Sequence, residues 1–140
     1  MELNDLYRRV IMDHYKNPRN RGEMQDESVA IQLNNPTCGD RISLQLQLEN
    51  GVVTDARYTG EGCSISMSSA SMMTEAVKGL KYEEALALAE RFSSLMKGAD
   101  EEFEELEDIE ALSGVNKFPA RIKCATLAWN ALRKGIESQK

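Results

Sequence analysis

Three cysteines, Cys38, Cys63 and Cys124, are the residues of this chain best equipped for chemistry. A cysteine can be a nucleophile or a metal ligand when ionised, and a small buried hydrophobe when not. An odd number of them does not close into a disulfide framework. Two of the three sit among glycines, in Cys38-Gly39-Asp40 and Gly60-Glu61-Gly62-Cys63. Gly39 permits the tight backbone that lets Cys38 and Asp40 both point inward. Three thiolates and one carboxylate form a tetrahedral set for a soft or borderline cation, zinc foremost. No CxxC pair anchors such a set, so ordinary burial stays open as the alternative, most of all for Cys124. Arg121 and Lys123 beside Cys124 would offset the negative charge of four such ligands.

Other reactive types read more plainly. His14, the single histidine, falls on an apolar helical stripe and is expected to be a hydrogen-bonded core residue. Ser64, Ser66, Ser68, Ser69 and Ser71 have no histidine nearby in sequence, so they are expected to ease helix packing rather than catalyse. Met67, Met72 and Met73 are expected to fill core space.

The elements that must place the cysteines follow from periodicity. Leu3, Leu6, Tyr7, Val10, Ile11 and His14 recur at helical spacing, which predicts a helix over 4–16 ended by Asn17-Pro18. Val29, Ile31 and Leu33, then Ile42, Leu44, Leu46 and Leu48, alternate as strands do. Asn50-Gly51 is a hairpin turn signal. The third strand, Val52 to Thr59, is predicted to carry Thr54, Ala56 and Tyr58 on one face. Helices are predicted beyond Gly62: one with Ile65, Met72, Met73, Ala76, Val77 and Leu80 in a stripe, one over Tyr82–Met96, and one from Pro119 to about Glu137. The acidic stretch Asp100–Glu110, with Phe103, Leu106 and Ile109, is expected to form a short surface helix. The fold class is therefore α+β, a small three-stranded antiparallel sheet with an N-terminal helix and several C-terminal helices packed on one side. In such a meander, Cys38, Asp40 and Cys63 meet at one end of the sheet.

Composition narrows the function. The chain has 140 residues, 41% of them hydrophobic, and no linker-like stretch, so a single domain over 1–140 is expected. A net charge of -6 argues against nucleic acid or an anionic membrane surface as partner. No run of about 18 apolar residues is present, so no membrane span is expected. Met1-Glu2-Leu3-Asn4-Asp5 lacks the basic and apolar regions of a signal peptide, and a cytoplasmic location is expected.

Four motifs, Asp13-His14-Tyr15-Lys16-Asn17-Pro18-Arg19-Asn20, Asn35-Pro36-Thr37-Cys38-Gly39-Asp40, Gly60-Glu61-Gly62-Cys63 and Ala120-Arg121-Ile122-Lys123-Cys124, stand in one order along nearly the whole chain. In them the sequence resembles the U-type family of iron–sulfur assembly proteins. IscU-like scaffolds of that family carry a histidine before the third cysteine, where this chain has Lys123. That departure and the long connection from Cys63 to Cys124 resemble the SufU branch. The resemblance implies a zinc protein, with Cys38, Asp40, Cys63 and Cys124 as ligands and Cys38 as the persulfide acceptor. It implies sulfur transfer from a SufS-type cysteine desulfurase, of which the protein would be second substrate and activator, and onward passage to a downstream iron–sulfur scaffold complex. In that mechanism a desulfurase histidine replaces Cys38 on the metal, and the freed thiolate attacks the enzyme's persulfide. The alternative is a scaffold on which a transient iron–sulfur cluster is built.

Overall fold

Amphipathic periodicity and turn chemistry produce the elements in the expected order. A computed structural model describes residues 3–26, 28–35, 39–98, 109, 112, 115 and 118–138. Helix α1 spans Leu3–Lys16 and buries Ile11 and His14 while leaving Met12 and Tyr15 exposed. Strands β1 (Val29–Asn35), β2 (Asp40–Glu49) and β3 (Val52–Glu61) form an antiparallel sheet in the order β1-β2-β3. Asn50 and Gly51, both at positive φ, make the β2–β3 turn. Ile42, Leu44, Leu46 and Leu48 all face the core, as period two requires.

One strand departs from the predicted alternation. Gln47 pairs with Asp55 but Leu48 pairs with Val53, so Thr54 is an extra residue in β3. This β-bulge turns Thr54 outward and Val53 inward, and the buried face is Val53, Ala56 and Tyr58. The Thr54 hydroxyl donates to the Gln47 carbonyl across the bulge (3.0 Å).

Helices α2 (Ser64–Val77), α3 (Tyr82–Met96) and α4 (Pro119–Glu137) cover the inner face of the sheet. Helix α2 is buried from Ser66 through Thr74 rather than along one stripe, because α1, α4 and the sheet all pack against it. Its serine hydroxyls connect those neighbours. Ser69 donates to the Ala125 carbonyl (2.6 Å) and accepts from Trp129 Nε1 (3.1 Å). Ser71 accepts the Arg19 N–H (2.9 Å) and meets His14 Nδ1 (2.8 Å). His14 is thus the hydrogen-bonded core residue its stripe predicts. Met67, Met72 and Met73 are core residues as well. Phe92 of α3 stacks on Trp129 of α4, with ring centroids 4.7 Å apart. The expected helix over Asp100–Glu110, with Phe103 and Leu106, lies outside the described residues except for Ile109, which is buried. Among the described residues, no helix is long and apolar enough to cross a membrane.

Candidate metal centre

Each ligand candidate is placed by an element whose logic is local. Asp40 opens β2 in the same parity as Ile42 and Leu44, so the pleat turns its carboxylate inward and leaves it 0% exposed. Gly39 (φ 73°) makes the reversal before it, with its N–H donating to the Asn35 carbonyl (2.8 Å). Cys63 is the N-cap residue of α2, directly after β3. Cys124 lies in the second turn of α4, fully buried. The Ser69–Ala125 and Ser69–Trp129 hydrogen bonds show why it reaches the site: small residues let α4 lie close against α2, which Cys63 caps at its N-terminus.

The ligand atoms of Asp40, Cys63 and Cys124 all lie within 4.8 Å of one another. Cys38 lies outside the described residues. Asp40 Oδ1 accepts hydrogen bonds from the Cys63 N–H (3.0 Å) and the Ser66 hydroxyl (3.2 Å). Its other oxygen, Oδ2, is buried without a hydrogen-bond partner among the described residues. Asn35 Nδ2 points at Cys124 Sγ (3.8 Å), the distance of a weak N–H···S contact.

This arrangement fits a metal ion. A buried carboxylate oxygen without a partner costs free energy unless something positive meets it. Two sulfurs and one oxygen at this spacing are the donor set of a borderline dication, and zinc accepts both types. The nearby Lys123 is exposed, so it does not fill that role.

Gly60, at the site's end of β3, tests how tightly this corner is built. A Cβ there would lie 2.1 Å from the Arg41 carbonyl oxygen, which is main chain and cannot swing away. Gly60→Ala is expected to cost more than about 1 kcal/mol of stability, read as a lower urea midpoint. An unchanged midpoint would contradict this account of the corner.

Two residues of the site escaped sequence reasoning, Ser66 and Asn35. Both had a signal. Asn35 sits on the inward parity of β1 after Val29, Ile31 and Leu33, where a polar side chain needs a partner. Ser66 is the third residue of α2, the position from which a side chain reaches back to the N-cap.

Known proteins are similar to nearly the whole of this chain. A family described as the NifU-like N-terminal domain matches residues 6–140. The chain is 58% identical over 139 residues to the zinc-dependent sulfurtransferase SufU of Bacillus subtilis, covering 99% of this chain and 94% of that protein. It is 50% identical over 137 residues to the iron–sulfur cluster assembly scaffold protein IscU of Streptococcus pyogenes, covering 97% and 86%. A crystal structure from Fervidobacterium islandicum, assigned as an iron–sulfur assembly scaffold of the SUF system, superposes with a TM-score of 0.85 at 28% identity, covering 91% of this chain and 93% of that one.

Proposed function

That the chain belongs to the family of the NifU-like N-terminal domain is the premise from which we propose its function. It is a zinc-dependent sulfur acceptor and carrier that takes persulfide sulfur from a cysteine desulfurase for iron–sulfur cluster assembly. The observation that carries this reading is the Asp40–Cys63–Cys124 cluster, with Asp40 and Cys124 buried and Cys63 half-buried, in a chain so similar to a zinc-dependent sulfurtransferase. Asp40, Cys63 and Cys124 would hold zinc together with Cys38. Bound zinc would keep the thiols deprotonated while restraining their nucleophilicity, without redox chemistry of its own.

The chain's own part is transfer at Cys38. Its thiolate attacks the terminal sulfur of the desulfurase persulfide, a new S–S bond forms on Cys38, and the enzyme's cysteine leaves as a thiolate. The sulfane sulfur moves without net oxidation. Asp40, Cys63 and Cys124 are fixed on β2, α2 and α4, so the metal site has a rigid base on three elements. The protein is in this reading a second substrate and activator of a SufS-type desulfurase, and hands sulfur to a downstream scaffold complex. It works in the cytoplasm as one domain, 1–140.

The similarity to the Streptococcus pyogenes scaffold favours a second reading, in which a nascent cluster is built on this chain. Lys123 in place of the scaffolds' histidine argues for the first. The two separate in one experiment with a cysteine desulfurase and cysteine. Persulfide on this chain, found by alkylation and mass spectrometry, supports the carrier. A cluster assembled here and passed to an apo-protein at a useful rate, with no persulfide, would overturn it.

A further inference from the structure

We infer that Ser66 is a positioning residue of the metal site, holding Oδ1 of Asp40 so that Oδ2 alone is offered to the ion. The inference rests on the zinc reading above and adds to it how the carboxylate is made a one-oxygen ligand.

The two oxygens of Asp40 have opposite surroundings. Oδ1 accepts from both the Cys63 N–H and the Ser66 hydroxyl, while Oδ2 is buried with no hydrogen-bond partner among the described residues. Ser66 is 0% exposed, so bulk water does not compete for its hydroxyl. That hydroxyl has one proton and three acceptors in reach, Asp40 Oδ1 (3.2 Å), the Cys63 carbonyl (3.0 Å) and, farther off, Cys63 Sγ (3.7 Å). A carboxylate is the stronger acceptor and takes it. The carboxylate–hydroxyl pair also sits hard against the main chain of residue 62. A Cβ on Gly62 would lie 2.4 Å from Ser66 Oγ and 2.5 Å from Asp40 Oδ1. Glycine at 62 is therefore what leaves room for the pair.

A carboxylate free to rotate can present both oxygens and raise the coordination number above four. Four-coordinate zinc sites are closed by single-atom ligands, whereas higher-coordinate oxygen-rich sites suit harder ions. Tying down Oδ1 thus selects tetrahedral geometry, and Ser66 acts through Asp40 without touching the metal.

The test compares wild type, Ser66→Ala, Gly62→Ala and Ser68→Ala by chelator competition for zinc and by the visible spectrum of the cobalt-substituted proteins. Ser66→Ala removes the hydroxyl, and Gly62→Ala keeps it but pushes the pair apart. Both are expected to bind zinc about 10- to 100-fold more weakly, and to lose intensity in the d–d bands that mark tetrahedral cobalt. Among the described residues Ser68 bonds only to carbonyls of its own helix, so Ser68→Ala is expected to match wild type. Wild type that binds zinc, with Ser66→Ala unchanged in both affinity and spectrum, would overturn the role of Ser66 alone. Wild type that binds neither metal would overturn the zinc reading with it. An equal loss in Ser68→Ala would assign the effect to packing of α2 and overturn the inference as well.

Discussion

Cys38→Ala is expected to reduce sulfur uptake by this chain to background while leaving it folded. The other two thiols are poorly placed to replace Cys38. Cys124 is fully buried against α2, beneath the hydrogen bonds that fix α4. Cys63 is half-buried, its own N–H committed to Asp40 and its sulfur 3.7 Å from the Ser66 hydroxyl. Moving either to meet a partner's persulfide would unpick the first turn of α2 or the α2–α4 contact. Cys38 stands in the sequence between β1 and β2, and the described residues on either side, Asn35 and Gly39, are joined by a main-chain hydrogen bond. Persulfide detection on the variant after incubation with desulfurase and cysteine gives the result. Uptake at the wild-type level would remove Cys38 as acceptor.

Stripping the metal is expected to lower the thermal midpoint of wild type by about 10 °C, and Asp40→Ala is expected to abolish most of that difference. A ligand bound only to the native state adds about 4 kcal/mol when its free concentration is about a thousand times its dissociation constant. For a chain of this size each kcal/mol moves the midpoint by roughly 3 °C. The stripped site adds to the loss, because Asp40 Oδ2 is then left buried with no hydrogen-bond partner among the described residues. In Asp40→Ala the unpartnered oxygen is gone and zinc affinity falls with it, so the loaded and stripped midpoints converge. Melting insensitive to chelator in wild type would contradict a resident ion. Unaltered zinc affinity in Asp40→Ala would contradict Asp40 as a ligand.

Much of this architecture is readable from spacing. The alternation that buries Ile42 through Leu48 also turns Asp40 inward, and the meander brings Asp40 to the start of α2. Helix α3 falls on its predicted span because its stripe is bounded by breakers. What could not be read depends on contacts between distant segments. Thr54 faces outward because β3 gains a residue against β2, and pairing register is not written in β3 alone. The serines of α2 gave a packing signal, but which hydroxyl would join α1, α4 or Asp40 depends on how three elements meet. The arrival of Cys124 at the site is of the same kind. Lys123 and Cys124 are adjacent, yet the approach of α4 to α2 is set by Ser69, Ala125 and Trp129.

The most direct test of a zinc-gated sulfur acceptor is the turnover of a cysteine desulfurase with this protein zinc-loaded or metal-free, under reductant. Strong stimulation by the zinc-loaded form and none by the metal-free form is the expected result. Equal stimulation by both would contradict the account and leave the metal outside the transfer.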